Sequence, residues 1–260
     1  MKAMYTAATG MDAQTIRIDT IANNLANANT TGFKKSQVDF ADLMYVVMRW
    51  PGGAQTETTQ MATGLEVGSG VFPVSTLKIF TEGGVANTAG ELDLAITGPG
   101  FFQIETPTGD VEYTRDGNFR VGPDGTVVSS QGYPLYPRLS VPTDAIAIGV
   151  ASDGTVSATT PGAEPSIIGS IELANFVNPA GLSSEGGNLY SETIASGPVT
   201  TATPGLEGLG DIKQGYLEMS NVEVVTELVD LIIAQRTYEL NSKVVRAGDR
   251  ILQATNHLVT

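Results

Sequence analysis

From Leu217 to Val259 the chain reads LEMSNVEVVTELVDLIIAQRTYELNSKVVRAGDRILQATNHLV. Within it Leu217, Val224, Leu231, Tyr238, Val245, Leu252 and Val259 recur every seven residues without a gap, the spacing that lines one stripe of an α-helix. A second row, Leu240, Val244, Ala247, Ile251, Ala254 and Leu258, steps alternately by four and three. Together they make an apolar face too wide for one partner, so this helix is expected to be contacted on more than one side. Ser220 followed by Glu223 reads as a capping box, and Gly215 keeps the preceding chain out of the helix. The spacing predicts a C-terminal helix within 216–260.

The opposite end carries a matching pattern. Met4, Met11, Ile18 and Leu25 recur every seven residues, with Ala7, Ile21 and Ala28, and polar Gln14, three further on. That predicts an N-terminal helix within 1–34. Between the helices the period falls to two, in Val71–Phe80, Leu92–Ile96, Phe101–Ile104, Phe119–Val121, Thr126–Ser129, Ile146–Ile148 and Ile167–Leu173. Turn chemistry such as Gly98-Pro-Gly, Asp116-Gly-Asn and Pro123-Asp-Gly separates these strands, and Asp116-Gly-Asn reads as a hairpin turn. The fold class is therefore α+β, with terminal helices paired as a coiled coil and an all-β domain inserted between them. The expected divisions are a helix in 1–34, a linker in 35–75 with a Gly-, Thr- and Gln-rich loop at about 51–70, a β domain in 76–200, a return segment in 201–215 and the helix in 216–260.

Charge divides the chain at the same places. The 260 residues hold 14 Lys+Arg and 28 Asp+Glu, a net charge of −14. Residues 1–50 carry five bases and four acids and residues 213–260 five and six, so 51–212 carries the whole excess. Nearly neutral ends can approach copies of themselves, whereas the acidic middle suits a solvated surface. Two helices alone cannot bury the wide C-terminal face, which points to association with other copies.

Composition excludes several chemistries. There is no cysteine and one histidine, His257, so disulfides, thiolate metal sites and multi-histidine centres are ruled out. Acidity argues against a nucleic-acid partner. No long apolar run predicts membrane insertion, and the N-terminal residues lack the apolar stretch of a cleaved signal peptide. The carboxylate pairs Glu91/Asp93 and Asp110/Glu112 could run glycoside chemistry, yet few aromatic platforms stand near them and solvated acids are the preferred reading. No catalytic, cofactor or metal residue is expected.

The segment IANNLANANTTGFKK, Ile21–Lys35, packs four Asn into seven residues, Asn23, Asn24, Asn27 and Asn29, around Leu25 and breaks at Gly32. Asn is a poor helix former whose amide bonds backbone and side chains alike, so specific polar contacts are expected there. Together with Phe40–Tyr45 this segment resembles the N-terminal signature of the bacterial flagellar basal-body rod and hook family. The runs Gly215–Leu228 and Ile233–Lys243 are similar to that family's C-terminal signature, and Leu92–Phe102, Tyr113–Phe119, Asn175–Leu182 and Gly208–Gly210 also match. The length and the 51–70 loop are most like the distal-rod branch.

The resemblance implies a structural, non-enzymatic axial subunit that polymerises helically into the distal rod, transmits torque from motor to hook and encloses the export channel. A proximal-rod or hook-type subunit is the near alternative, and a secreted peptidoglycan-binding or hydrolytic β protein the distant one. The resemblance also implies a basal-body location across the periplasm to the outer membrane and export through the flagellar type III apparatus. Its implied partners are copies of itself, the proximal-rod, hook and rod cap proteins, and the periplasmic and outer-membrane ring bushing. Residues expected to carry assembly are Met4, Met11, Ile18 and Leu25; Asn23, Asn24, Asn27, Asn29, Gly32 and Phe33; and Leu217, Asn221, Val224, Leu228, Leu231, Gln235, Arg236, Tyr238, Asn241, Val245 and Leu252.

Overall fold

The computed structural model describes residues 2–50, 54–56, 59–60, 63–162 and 164–259. It is α+β and divides into two units. A helical unit comprises Met1–Ala26, Ser36–Leu77 and Glu223–Thr260, and a β unit comprises Asn27–Lys35 and Lys78–Val222.

In the helical unit, helix α1 spans Lys2–Ala26 and buries Ala7, Ala13, Ile21 and Asn24. Thr6, Thr9, Thr15 and Thr20 turn their hydroxyls back onto carbonyls three or four residues earlier, which keeps these β-branched residues compatible with a helix. Helix α2 spans Val224–Val259. Its first turn closes when Glu227 N–H donates to the Glu223 carbonyl at 3.0 Å.

The capping box does not form. Ser220 Oγ accepts from Val222 N–H at 3.3 Å, and the Glu223 carboxylate instead accepts from the Thr226 hydroxyl at 2.9 Å. Leu217 lies in a strand, Tyr216–Glu218, paired with Val85–Asn87, so the period-seven row is helical only from Val224. Gly215, at φ +78°, turns the chain between two successive strands, Asp211–Gln214 and Tyr216–Glu218.

The segment expected as a long loop contains a β ribbon. Val46–Arg49 pairs antiparallel with Leu65–Val67, and Ala54–Thr56 with Thr59–Gln60. Residues 51–53, 57–58 and 61–62 of that expected loop lie outside the described residues. Ser36–Asp42 pairs with Val71–Lys78 at the ribbon's base.

The β unit centres on a five-stranded antiparallel sheet in the order Leu135–Tyr136, Phe102–Glu105, Val111–Thr114, Leu189–Ser191 and Ser183–Gly186. A three-stranded sheet, Ala147–Val150, Thr155–Thr159 and Ser166–Ser170, and several strand pairs complete it. Leu94, Ile96, Phe102, Leu135, Val156 and Leu173 form a core with exposures of 0–2%. A second cluster packs Phe101, Tyr113, Phe176 and Tyr190 edge to face, with ring centroids 4.8–6.2 Å apart, the geometry aromatic quadrupoles favour.

Asp116-Gly-Asn is a link between sheets and not a hairpin turn. Val111–Thr114 before it joins the five-stranded sheet, while Phe119–Val121 after it pairs with Val127–Ser129. A Cβ on Gly117 would stand inside contact distance of the Leu94 carbonyl, so the chain passes there only because that residue has no side chain.

Candidate assembly surfaces

The two helices of the helical unit lie against one another in opposite directions. Arg17 Nη2 meets Asp230 Oδ1 at 3.2 Å, and Asn24 Nδ2 donates to Glu227 Oε2 at 3.3 Å. Further along, a Cβ on Gly10 would sit 2.8 Å from Asn241 Nδ2, and one on Gly248 would sit 2.7 Å from Met4 Cγ. Partner numbers thus fall along α2 as they rise along α1. Glycine inside a helix costs about 1 kcal/mol relative to alanine, and here the missing side chains let the neighbouring helix come close. Gln14 Oε1 is buried without a hydrogen-bond partner.

Much of α2 remains uncovered. Val224, Val225, Leu228, Val229, Ile232, Ile233, Tyr238, Leu240, Val244, Ile251 and Leu252 are 40–69% exposed. So many large apolar side chains left exposed along one long element are of the kind that marks an interaction surface. The ribbon adds Met44, Tyr45, Val46, Met48, Trp50 and Leu65, also exposed. A two-stranded ribbon is marginal by itself in water. Tyr45 carries a hydroxyl whose pKa is raised by its hydrogen bond to the Asp42 carboxylate and by that group's charge.

The β unit contains a buried ionic clasp that joins the segment following α1 to the segment preceding α2. The Glu218 carboxylate receives Lys34 Nζ at 2.6 Å, Gly83 N–H at 3.0 Å and Arg115 Nη1 at 3.3 Å. All three ionic side chains are at most 3% exposed. Lys34 Nζ also donates to the Thr81 carbonyl at 2.6 Å, and Arg115 Nη2 to the Gly98 carbonyl at 2.8 Å. Burial pushes the Lys34 ammonium below its ordinary pKa, opposed by the Glu218 charge, and does the same to Arg115. Two cations share one anion, and Arg115 Nε has no hydrogen-bond partner.

Backbone and amide bonds complete the clasp. Gly32 N–H donates to the Glu218 carbonyl at 2.8 Å, and the Asn221 side chain accepts from Lys35 N–H at 2.8 Å while donating to the Ile79 carbonyl at 2.7 Å. Gly32 adopts φ +66°, and any Cβ there would lie 2.6 Å from the Arg115 backbone. Phe33 is buried beneath the Lys78 ammonium, 5.2 Å from its ring centroid.

The residues singled out in the sequence fall into three groups. Met4, Met11, Ile18 and Leu25 on α1, and Leu231, Asn241 and Val245 on α2, are half-buried. Asn24 is buried, bonding Ser36 through both amide atoms as well as Glu227. Gly32, Phe33, Leu217 and Asn221 belong to the β unit, with the first three buried. Half-buried Asn27 receives the Thr30 hydroxyl at 3.2 Å. Asn23, Asn29, Val224, Leu228, Gln235, Arg236, Tyr238 and Leu252 are exposed, and Arg236 pairs with Glu239 at 3.0 Å. Nothing in the local sequence distinguishes the clasp residues Lys34, Arg115 and Glu218 from surface charges. Glu218 follows buried Leu217 in a strand next to a turn, and its partners lie 184 and 103 positions away.

Among the described residues no group of three or more His, Asp or Glu is placed to hold a metal ion, and no helix is long and apolar enough to cross a membrane. Three family models match the chain: the flagella basal body rod protein model over residues 4–34, the flagellar hook protein FlgE/F/G D1 domain over 95–158, and the flagellar basal body rod FlgEFG protein C-terminal model over 213–258. The flagellar basal-body rod protein FlgG of Buchnera aphidicola subsp. Schizaphis graminum is 46% identical over 98% of this chain and 99% of its own length. Those of Borreliella burgdorferi and Bacillus subtilis are 44% and 37% identical, over 99% and 97% of this chain and 98% and 97% of their own lengths. With likeness at this level running through both helices and the β unit, the chain belongs to the flagellar basal-body rod protein family.

Proposed function

We propose that the chain is a structural subunit that polymerises helically into the distal rod of the flagellar basal body. The observation that carries this reading is the exposed apolar stripe running along α2 from Val224 to Leu252, which one chain leaves in water and a polymer would cover. Contacts between unlike surfaces that do not close into a ring generate a helical filament. In that filament α1 and α2 pair as a coiled coil around an axial channel. The shaft transmits torque by the shared stiffness of many interlocked copies, and no step of the function is enzymatic.

The same reading covers the neighbours. The rod joins proximal-rod and hook proteins, grows beneath a cap protein and turns inside the ring bushing of the periplasm and outer membrane. The chain reaches its place through the flagellar type III apparatus, and a cysteine-free sequence with helices completed only on assembly suits threading in an unfolded state. The ribbon rooted at Val46–Arg49 and Leu65–Val67 reaches a neighbouring copy and holds the tube straight.

Sedimentation and electron microscopy of the purified chain test the reading. Concentration-dependent filaments are expected, and Leu231→Asp should abolish them while near-ultraviolet circular dichroism shows the β unit intact. Filaments formed normally by Leu231→Asp would remove the helices from assembly. Deleting residues 51–70 should leave filaments that bend, and unchanged straightness would remove the ribbon's role.

A further inference from the structure

We propose that a polar cleft on the β unit binds a neutral saccharide. Its walls are the Asn-rich segment that follows α1, the link at Asp116, the turn at Ser130–Gln131 and the turn at Gly187–Asn188, and its volume is about 450 Å³. Small-ligand sites span roughly 300–1,000 Å³, whereas one water takes about 30 Å³, so the cleft is sized for an organic molecule and not for a bare ion. All of its walls belong to the β unit, so a single dissolved chain carries it complete.

The bonds within the walls decide its chemistry. Gly187 and Asn188, at φ +58° and +62°, turn the chain between Ser183–Gly186 and Leu189–Ser191, the positive-φ pair of a tight hairpin. That turn brings Asn188 Nδ2 to the Thr31 carbonyl at 2.9 Å, and Gln131 Nε2 donates to the Gly187 carbonyl at 3.0 Å. An amide that gives its N–H to a carbonyl must hold its oxygen elsewhere. The Thr31 hydroxyl and Asn118 N–H both donate to Asp116 Oδ1, at 2.9 and 3.1 Å. Asp116 Oδ2, Gln131 Oε1 and Asn188 Oδ1 remain without a hydrogen bond among the described residues. The Asn29 amide and the Ser130 hydroxyl, which also line the cleft, make none either.

Donors of the wall are thus committed to the protein itself, and three acceptors are left for a ligand rich in O–H or N–H groups. Among the described residues no Lys, Arg or aromatic lines the cleft, which argues against an anion held by charge and against a flat apolar molecule. One carboxyl is little charge for a metal ion. Burial holds that carboxyl above its ordinary pKa, against the bonds from Asn118 and Thr31, so the surroundings disfavour charge. Sugar hydroxyls fit, since each can donate to a wall oxygen and accept from Asn29 or Ser130. With no aromatic ring to stack on, binding should be weak, in the millimolar range. Glycoside hydrolysis needs two carboxyl groups and the cleft holds one, so the sugar is held and not cut.

Saturation-transfer NMR on the full chain tests this, with triacetylchitotriose and cellotriose as probes. At least one of the two sugars should receive saturation. Asp116→Asn keeps an oxygen for Thr31 and Asn118 and replaces the second oxygen with a donor, so it should cut the affinity about tenfold. Gln131→Ala, at an exposed residue, should weaken binding severalfold. Asp124→Asn, in the turn at the far end of the hairpin Phe119–Val121 and Val127–Ser129, should change nothing. If Asp116→Asn loses the near-ultraviolet signal of the folded β unit, Gln131→Ala decides. Saturation of neither sugar overturns the proposal, and so does an affinity that Gln131→Ala leaves unaltered. Calcium chloride bound in calorimetry with no sugar bound would make the cleft a cation site and overturn it equally. Filaments that form normally from a chain that binds no sugar would sink this proposal and leave the rod-subunit reading standing.

Discussion

The β unit hides its apolar residues behind its own chain, whereas the helical unit leaves long rows of them in water. In the β unit Leu94, Phe102, Leu135 and Leu173 are at most 1% exposed, and even its buried charges are paired inside it. Among the described residues of α2, Ala234 is the only buried hydrophobic one, while Val225, Leu240 and Ile251 stand 59–69% exposed. A unit that closes on itself is stable as one copy. The helical unit leaves an apolar face that only another surface could cover. The two regions should therefore answer differently to substitution.

The largest effect is expected at the clasp. Glu218→Ala leaves Lys34 and Arg115 buried without their anion, and breaking a buried ion pair from one side costs about 3–5 kcal/mol. Denaturant titration followed by near-ultraviolet circular dichroism should show the β unit losing most of its stability. Lys34→Met, which removes the surplus cation and leaves Arg115 paired with Glu218, should cost less than Glu218→Ala. Equal losses in the two variants would mean that the clasp acts through packing and not through charge.

That clasp also shows where sequence reading reaches its limit. The stripes Met4, Met11, Ile18, Leu25 and Leu231, Val245 announce both helices because a helix repeats locally. Strands such as Leu94–Thr97 and Phe102–Glu105 announce themselves through alternation between turn residues. Leu217 falls on the period of seven, which extends the helical pattern over Tyr216–Glu218, although Gly215 and pairing with Val85–Asn87 place that segment in a sheet. The 51–70 segment looked like a loop because Gly, Thr and Gln carry little hydrophobic signal, yet a ladder needs only backbone groups and extended residues. Lys34, Arg115 and Glu218 each look like ordinary surface charges, since nothing local marks partners a hundred or more positions apart. For the candidate assembly surface, the sequence shows that α2 carries more apolar residues than one partner helix covers. Which part α1 covers is not legible there, because Glu227, Asp230 and Asn241 occupy the face that meets α1.

A smaller effect is expected in alkali. Burial raises the Tyr190 phenol to about 12 from the ordinary 10.0. The folded chain thus holds this proton more tightly than the unfolded chain does. The stabilisation is present in full below pH 10 and is lost as pH climbs from 10 to 12, by about 2–3 kcal/mol in all. Lys34 contributes the opposite slope, because its lowered pKa makes the unfolded chain the better proton binder up to pH 10.5. The comparison of unaltered chain with Tyr190→Phe isolates this phenol, and the variant should descend less steeply, the remainder coming from Tyr113, whose phenol burial also raises. Identical alkaline profiles would mean that Tyr190 ionises without opening the aromatic cluster.

At the helix seam, Gly10→Leu forces a side chain against Asn241, whose Nδ2 lies 2.8 Å from even a Cβ there. Overpacking costs about 1–3 kcal/mol, and about 1 kcal/mol of that returns through better helix propensity. A loss of far-ultraviolet helical signal on mild denaturation is expected, with the near-ultraviolet signal of the β unit unchanged. Asn241→Ala in the same chain should relieve it. A loss that Asn241→Ala leaves untouched would place the closest approach of the helices elsewhere.

The smallest effect on the single chain is expected where the effect on the polymer is greatest. Val225→Ser and Leu228→Ser alter side chains that are 69% and 42% exposed, so the monomer should shift by less than about 0.5 kcal/mol. Those side chains become buried only if a neighbouring copy covers the start of α2, and each lost apolar side chain then weakens every junction along the filament. The expected result is a monomer that unfolds at the same denaturant concentration as the unaltered chain while its filaments vanish from the sedimenting fraction. A monomer destabilised as much as by Gly10→Leu would mean that α2 already closes its apolar face within one chain, and the contrast between a self-contained β unit and an unfinished helical unit would fail.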